Sequence, residues 1–253
     1  MTAMDAAPRP IPDVGGFLRK ATLAARLGRI GVMVRRGGLT YLSAERLLRI
    51  RQELKRLQRD NVPGEALEFG VALGGSAIMI ARHVRGQRRF LGYDVFGLIP
   101  PPGAKDPQAA HQRYAEITSG HSAGIGGQLY YGYRNDLMGE VSGRLASFGV
   151  PVDGHSVTLV QGRFEETVPA TLPDQVAFAH IDCDWHDPVA HILASLLPRL
   201  SPGAAIVIDD YEDYGGCRSA TDAFLAAHPE MEMMATSPNA LLRRRTTPRQ
   251  SAS

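Results

Sequence analysis

The chain has 253 residues, of which 44% are hydrophobic and 21% are charged, and its formal net charge is +2. These values fit one soluble globular domain and exclude a mini-protein, a long solenoid and a disordered chain. The charge is unevenly spread, because residues 1–60 hold 13 basic against 5 acidic side chains and the remainder carries a net −6. A basic end of this kind raises the question of a nucleic-acid or membrane partner.

Cysteine content and apolar runs indicate the compartment. The two cysteines, Cys183 and Cys217, cannot form a disulfide framework and lack the spacing of a zinc site. The N-terminal residues show no basic segment followed by an apolar one, and no apolar run approaches the roughly 20 residues of a spanning helix. The sequence therefore predicts a cytoplasmic protein without a membrane span.

The N-terminal quarter is predicted to be an arm followed by two helices. Residues 1–15 contain three prolines and are expected to be mobile, and an apolar stripe over 17–27 predicts the first helix. Ser43 is a typical N-cap for a second, stronger helix with apolar residues at three- and four-residue spacing. We expect residues 1–62 to form a basic helical cap that packs on the rest of the chain or on a second subunit, as in a homodimer.

After residue 63, short apolar strands alternate with helices, which is the pattern of a doubly wound α/β fold with a parallel sheet. We predict a Rossmann-like domain over 63–245, with seven strands of which the last pair is antiparallel, and a disordered tail over 246–253. The predicted strands lie near 65–70, 89–94, 156–160, 176–182, 204–209, 230–235 and 240–244. The predicted helices lie near 75–85, 135–148, 187–198 and 216–227.

An insertion interrupts this pattern between residues 96 and 133. It contains three consecutive prolines and seven glycines. So long an irregular segment in a compact domain is usually functional. We expect a lid, with an ordered dimer arm as the alternative.

The first strand of the domain leads into a glycine loop, with Glu68 and Gly70 before Gly74 and Ser76. Glycines let a ligand approach the backbone, and the following helix offers free N–H groups. The spacing differs from the Gly-x-Gly-x-x-Gly of dinucleotide folds. Asp94 follows Gly70 by 24 residues, which suits a ribose. Two acids beside the loop favour a ribose with a cationic tail, as in S-adenosylmethionine (SAM), although turns and solvated strand ends are the simpler alternative.

Four aspartates follow two predicted strands. Asp182 and Asp184 come after one strand, and Asp209 and Asp210 come after the next. The carboxyl ends of the strands line the ligand crevice of an open α/β sheet. Carboxylates gathered there repel one another unless a cation holds them, and oxygen ligands favour Mg²⁺. The alternative is that they are helix caps.

Five motifs form an ordered set along the chain: Glu68-x-Gly70-x-x-x-Gly74-x-Ser76, Asp94-Val95-Phe96-Gly97-Leu98-x-Pro100, Gly162-Arg163-Phe164-Glu165-Glu166-Thr167-Val168-Pro169, His180-Ile181-Asp182-Cys183-Asp184, and Leu200-Ser201-Pro202-Gly203 leading to Asp209-Asp210-Tyr211. On these motifs the chain resembles the macrocin-type sugar O-methyltransferases over residues 64–227. The resemblance implies SAM- and Mg²⁺-dependent transfer of a methyl group to a sugar hydroxyl. Two departures are His186, where the family usually has tyrosine, and Ala204, where it has a second glycine after Pro202. The implied metal ligands are Asp182, Asp209 and Asp210. The implied cofactor contacts are Glu68, Gly70, Ser76, Asp94, Gln161, Gly162, Arg163 and Asp182.

Asp184 is the predicted general base, because alternation along a persisting strand would place it on the same side as Asp182. His186 and His121 are the alternatives. We expect a sugar or glycoside acceptor, with a methylated mannose oligosaccharide as the specific hypothesis, and no nucleic-acid partner. The competing functions are a catechol-type methyltransferase, a glycosyltransferase that uses Asp-x-Asp with a cation, and a nucleic-acid-binding module.

Overall fold

The computed structural model describes residues 14–246, with side chains from residue 21. The predicted arm and tail lie outside this range except for their innermost residues. The strands are β1 (Glu65–Phe69), β2 (Phe90–Asp94), β3 (Val157–Gln161), β4 (Val176–Ile181), β5 (Leu200–Ile208), β6 (Met231–Ala235) and β7 (Ala240–Arg244). The helices are α1 (Val14–Arg36), α2 (Ala44–Arg59), α3 (Gly75–Val84), α4 (Gln108–Thr118), α5 (Leu137–Ser147), α6 (Phe164–Thr171), α7 (His186–Leu196) and α8 (Gly215–Ala227).

The seven strands form one sheet in the order β3-β2-β1-β4-β5-β7-β6. The first five are parallel, whereas β7 runs antiparallel to both β5 and β6. The predicted fold class is thereby confirmed. The chain winds outward from β1 through β2 and β3, and then returns to β4 beside β1. This reversal of strand order opens a crevice at the carboxyl ends of β1 and β4, the usual ligand position in such sheets.

Helices cover both faces of the sheet and divide the core in two. One cluster lies under α1, α2, α3 and α5, and the other lies under α7 and α8. The central strands are buried on both sides, which explains why β4 and β5 read as continuous apolar runs. The sheet is therefore a rigid support for the loops at its carboxyl edge.

Helix α2 is part of the core beneath the sheet. Ser43 caps it by accepting a hydrogen bond from the Arg46 backbone N–H at 3.2 Å, and leucines at its three- and four-residue spacing are buried. The buried carboxylate of Glu53 accepts from Arg56 at 2.9 Å and from Arg243 at 2.7 Å. Some of the basic charge of the N-terminal quarter is thus neutralised inside the fold.

The insertion over 96–133 is more regular than the sequence predicted. It contains α4 and two short 3₁₀ turns. The Trp185 indole donates to the Pro100 carbonyl at 3.0 Å, and the buried carboxylate of Asp106 accepts from the Gly103 and His186 backbone N–H groups at 2.9 and 2.8 Å. The base of the insertion is therefore fastened to the start of α7.

Helices α4 and α6 were not predicted, and β5 begins four residues earlier than expected. Both helices were missed because proline normally ends a helical pattern. Pro169 lies inside α6, and several prolines precede α4. Among residues 14–246, no helix has the length and apolarity needed to cross a membrane.

Candidate active site

The glycine loop brings the ends of β1 and β4 into backbone contact. Gly70 has φ 94°, and a Cβ atom built on it would lie 1.8 Å from the carbonyl oxygen of Asp182. The Asp182 N–H in turn donates to the Phe69 carbonyl at 2.8 Å. Only glycine fits at this position, because both the positive φ and the space exclude a side chain.

Asp94 organises the loop from the end of β2. One oxygen of its buried carboxylate accepts from the backbone N–H groups of Val71 and Ala72 at 2.7 and 2.9 Å, and the other accepts from Phe96 at 2.7 Å. Burial raises the pKa of Asp94, although the backbone hydrogen bonds oppose the shift. Because Asp94 also lines a cavity, it both shapes the loop and faces the space predicted for a ribose.

Glu68 lies beneath the loop instead of in the crevice. It is fully buried, and its carboxylate is 2.9 Å from Nδ1 of the fully buried His180. Burial raises the pKa of Glu68 against the opposing influence of His180. Burial lowers the pKa of His180, but the hydrogen bond to Glu68 and the charges of Glu68, Asp182 and Asp209 together raise it above its ordinary value. Ser76 is likewise buried at the start of α3. Glu68 and Ser76 therefore support the loop from below.

A cavity of about 250 Å³ opens between the loop and α6, and we term it the glycine-loop cavity. Arg163 lines it and lies 3.5 Å from Glu165. Gln161 donates to the Val95 carbonyl at 3.3 Å, and the Gly162 N–H donates to the Asp94 carbonyl at 3.0 Å. The lining includes Gly70, Asp94, Gly97, Ile99, Pro100, Tyr131, Phe164, Asp182 and Trp185.

Three carboxylates converge at the ends of β4 and β5. Ligand oxygens of Asp182, Asp184 and Asp210 all lie within 4.8 Å of one another. Burial raises the pKa of Asp182 and Asp210 well above the ordinary range, and the neighbouring carboxylates raise both further. We term Asp182, Asp184 and Asp210 the acidic triad. Its members are all carboxylates, so each ionised member disfavours ionisation of the others.

Asp184 reaches the triad through a turn and not through a continued strand. Strand β4 ends at Ile181, and Asp184 has φ 62° in a three-residue turn closed by the Trp185 N–H to the Cys183 carbonyl at 2.7 Å. The expectation of a persisting strand was wrong. Positive φ in a residue other than glycine is strained and is common at active sites. Burial raises the pKa of Asp184 to about 6, against the hydrogen bond to Asp210 and the charge of Arg113.

Asp209 points to other partners. One of its oxygens accepts from Arg46 of α2 at 2.6 Å, and the other accepts from the Asn239 amide at 3.1 Å. Arg46 also donates to Asp213 at 2.6 Å and to the Pro238 carbonyl at 3.0 Å. The structure thus joins Asp182, Asp184 and Asp210 and holds Asp209 beside them on a separate network.

A second cavity of about 320 Å³, the aspartate cavity, lies over the triad. The exposed ring of Tyr41 packs edge-on against Tyr131, with centroids 6.0 Å apart. Burial raises the pKa of Tyr130 to about 12, so this side chain is a neutral hydrogen-bonding phenol at physiological pH. The lining includes Tyr41, Arg46, Arg113, Ile117, Tyr130, Tyr131, Asp182, Asp184, Asp209, Asp210, Asp213 and Tyr214.

The two cavities share Gly70, Asp94, Ile99, Tyr131 and Asp182. The alternative bases lie elsewhere: His186 is 2.7 Å from Asp187, and His121 is 2.8 Å from the Ser119 hydroxyl, and neither lines these two cavities. Arg46 and Arg113 could not be predicted as site residues, because each is one of many basic residues on an ordinary helix.

Solved O-methyltransferases share this fold. The fold is similar to that of the O-methyltransferase NovP, with a TM-score of 0.71, 23% identity and coverage of 90% of this chain and 99% of that one. It is also similar to TomG of Streptomyces achromogenes, solved in complex with SAM, with a TM-score of 0.52, 17% identity and coverage of 92% and 96%.

The sequence model of the macrocin-O-methyltransferase (TylF) family matches residues 18–236, and the chain belongs to that family. It is therefore a SAM-dependent O-methyltransferase. It is 28% identical over 198 residues to demethyldecarbamoylnovobiocin O-methyltransferase of Streptomyces niveus, covering 74% of this chain and 68% of the relative. It is also 28% identical over 197 residues to mycinamicin III 3''-O-methyltransferase of Micromonospora griseorubida, covering 75% and 71%. The glycosyltransferase alternative is not favoured.

Proposed function

We propose that this enzyme transfers the methyl group of SAM to a sugar hydroxyl of a glycoside, with a divalent cation held at the acidic triad. The observation that carries the proposal is the meeting of the two cavities at Asp182. A donor in the glycine-loop cavity and an acceptor in the aspartate cavity would face each other there. Holding donor and acceptor in this way makes the bimolecular methyl transfer effectively unimolecular and so lowers its entropic cost.

The residues around the glycine-loop cavity fit SAM. The backbone approaches closely at Gly70, Asp94 presents a carboxylate toward a ribose, and Phe164 offers an apolar surface for an adenine. Asp182 at the far end offers a negative charge for a sulfonium or amino group. Bound SAM supplies an activated methyl group, so the protein needs to orient the acceptor and exclude water.

The acidic triad fits a hard cation. Its donors are carboxylate oxygens, which Mg²⁺ prefers. Burial and the neighbouring carboxylates raise the pKa of Asp182 and of Asp210, so both side chains would need a counter-charge to remain ionised. A bound cation would lower the pKa of an acceptor hydroxyl. Asp182, Asp184 and Asp210 are the residues that would hold it, and Asp209 is an adjacent candidate.

Asp184 would take the proton of the acceptor hydroxyl. Burial raises its pKa to about 6, so its carboxylate is ionised at neutral pH, which both proton acceptance and cation binding require. Its strained turn directs it into the aspartate cavity, where Tyr130 and Tyr131 would bind the faces and hydroxyls of the sugar. The insertion over the cavity would shield the reaction from bulk water.

The acceptor class rests on the relatives. Two act, by name, on demethyldecarbamoylnovobiocin and on mycinamicin III, and a third is named as a rhamnosyl-tetracenomycin 4'-O-methyltransferase of Streptomyces olivaceus. Neutral glycosides suit an aromatic-lined cavity whose charged groups face the proposed cation. A methylated mannose oligosaccharide satisfies the same chemistry.

The test is an acceptor panel with SAM and Mg²⁺, analysed by mass spectrometry for the gain of one methyl group. The panel contains macrolide and aminocoumarin glycosides, methylated mannose oligosaccharides and a catechol. We expect methylation of at least one glycoside and loss of activity on treatment with EDTA. Methylation of the catechol alone would contradict the sugar assignment, and full activity after exhaustive EDTA treatment would contradict the cation.

A further inference from the structure

The guanidinium of Arg46 connects three parts of the molecule that are far apart in sequence. It donates through Nη1 to Asp209 and through Nη2 to Asp213, both at 2.6 Å, and through Nε to the Pro238 carbonyl at 3.0 Å. Its own position is set by α2, whose N-terminus is capped by Ser43. One side chain of the helical cap thus holds the turn after β5 and the turn between β6 and β7.

Asp209 is clamped from both sides by this network. Arg46 occupies one of its oxygens and the Asn239 amide occupies the other, and the residue is only 3% exposed. Asp210, the next residue, belongs to the acidic triad. Because a carboxylate oxygen has two acceptor sites, Asp209 keeps lone pairs available while its orientation is fixed.

We propose that Arg46 is a positioning residue that orients the Asp209–Asp210 turn for the cation, so that the helical cap forms part of the metal-binding architecture. This inference rests on the cation of the proposed function. Partners of this kind that orient ligands typically change metal affinity by about 10–100-fold when they are removed.

The sign of the effect distinguishes positioning from simple electrostatics. Arg46 is a positive charge close to a cation site, so its loss through charge alone would strengthen cation binding. Its loss through positioning would weaken cation binding, because the Asp209–Asp210 turn would lose its fixed geometry. A residue that only joined elements of the fold would leave the affinity unchanged in the folded protein.

Arg49 provides a matched control. It lies one turn further along α2 and donates to the Ser237 carbonyl at 2.6 Å, in the same turn that Arg46 contacts. It makes no ion pair among the described residues. Replacing Arg49 removes a charge and a link to the β6–β7 turn without touching Asp209.

The experiment is a titration of the full-length protein with Mn²⁺, followed by electron paramagnetic resonance of the free ion. We expect Arg46→Met to bind Mn²⁺ at least about 10-fold more weakly than the parent, and Arg49→Met to bind it as the parent does. Arg46→Lys keeps the charge but loses the fork, so it should also bind more weakly. Tighter or unchanged binding in a folded Arg46→Met protein would overturn the proposal.

Asn239→Ala keeps the proposal testable if Arg46→Met does not fold. It removes the other partner of Asp209 without changing the net charge, so it should also weaken Mn²⁺ binding. Unchanged affinity in both Asn239→Ala and Arg46→Lys would refute the positioning role. Failure of the parent protein to bind Mn²⁺ would instead refute the cation of the proposed function, which separates the two failures.

Discussion

The glycine-loop side and the aspartate side of the crevice are built on opposite principles. On the glycine-loop side, Asp94 satisfies three backbone N–H groups and Gly70 is in tight backbone contact with Asp182. On the aspartate side, three carboxylates face one another within 4.8 Å. The polar groups of the glycine-loop side already have hydrogen-bond partners, whereas the carboxylates of the aspartate side would need a counter-charge to remain ionised together. Substitutions should therefore damage the first through structure and the second through chemistry.

The largest expected effect is on the glycine-loop side, with Gly70→Ala. The added Cβ would lie 1.8 Å from a backbone oxygen at φ 94°, so we expect a loss of more than about 4 kcal/mol in the free energy of unfolding. Gly86→Ala is the control, since Gly86 has φ 76° with no atom within 4 Å, and it should lose only about 1–2 kcal/mol. Urea unfolding measures both. Equal losses would show that the contact with Asp182 is not tight.

On the aspartate side, Asp184→Asn should leave the fold intact while it removes both the proposed base and one carboxylate of the acidic triad. We expect kcat to fall by about 100-fold or more while the Kd for SAM stays unchanged. Steady-state kinetics and calorimetry measure the two quantities. Asp174→Asn, at a fully exposed carboxylate that pairs with Arg199, should change neither. A parallel loss of SAM affinity in Asp184→Asn would place Asp184 in donor binding instead.

The next prediction concerns Asp94→Asn on the glycine-loop side, for which we expect a smaller effect, on the affinity for SAM. The asparagine side chain has one acceptor oxygen in place of two. It can accept from the Val71 and Ala72 N–H groups or from the Phe96 N–H group but not from both sides, so the loop should become less ordered. Hydrogen bonds to charged groups contribute roughly 1.5–3 kcal/mol each, so the Kd for SAM should rise roughly 10- to 100-fold.

Asp153→Asn is the control for this prediction. One oxygen of Asp153 accepts from three backbone N–H groups in a turn that lines neither cavity. The asparagine oxygen can still accept from all three N–H groups, so the turn should stay intact. Because the turn is also outside both cavities, the affinity for SAM should remain that of the parent. If Asp94→Asn also binds SAM as the parent does, the carboxylate does not order the loop for its ligand.

The smallest effect is on stability as a function of pH. Burial raises the pKa of Asp184 from 3.8 to about 6, and burial and mutual repulsion raise the pKa values of Asp182 and Asp210 well above their ordinary range. The folded state therefore binds more protons than the unfolded state, so the stability of the apoprotein falls as pH rises from about 4 through about 6. Calorimetry should show the Tm falling by a few degrees over this range.

Mg²⁺ should reverse this loss, because it supplies the missing counter-charge. Its stabilising effect should be larger at pH 7.5 than at pH 5, and Asp210→Asn should flatten the pH dependence. An apoprotein Tm that rises over the same range would contradict the raised pKa values.

The positions of the strands and the fold class could be predicted from patterns that are local in sequence. Each buried strand is recognisable as an apolar run in the sequence. The glycine loop indicates where the first strand passes into the first crossover helix. The placement of Asp182, Asp209 and Asp210 at strand ends follows from the same pattern. Helix α6 was missed because Pro169 lies inside it.

Details of the site depend on contacts that the local sequence does not encode. The position of Asp184 arises from a turn in which this residue has a positive φ, and a residue other than glycine does not indicate such a conformation in the sequence. The contact between Arg46 and Asp209 spans 163 residues and involves one of many arginines. Glu68 illustrates the converse, because its place before the loop suggested a ligand contact while its side chain turns inward to His180.

Trp185 is the chain's single tryptophan, and its indole lines the glycine-loop cavity while donating to Pro100 and packing against Tyr214 at a centroid distance of 5.2 Å. The enzyme therefore carries its own optical reporter. A donor bound in the cavity as proposed would change the surroundings of the indole, so intrinsic emission would follow donor binding without an added label.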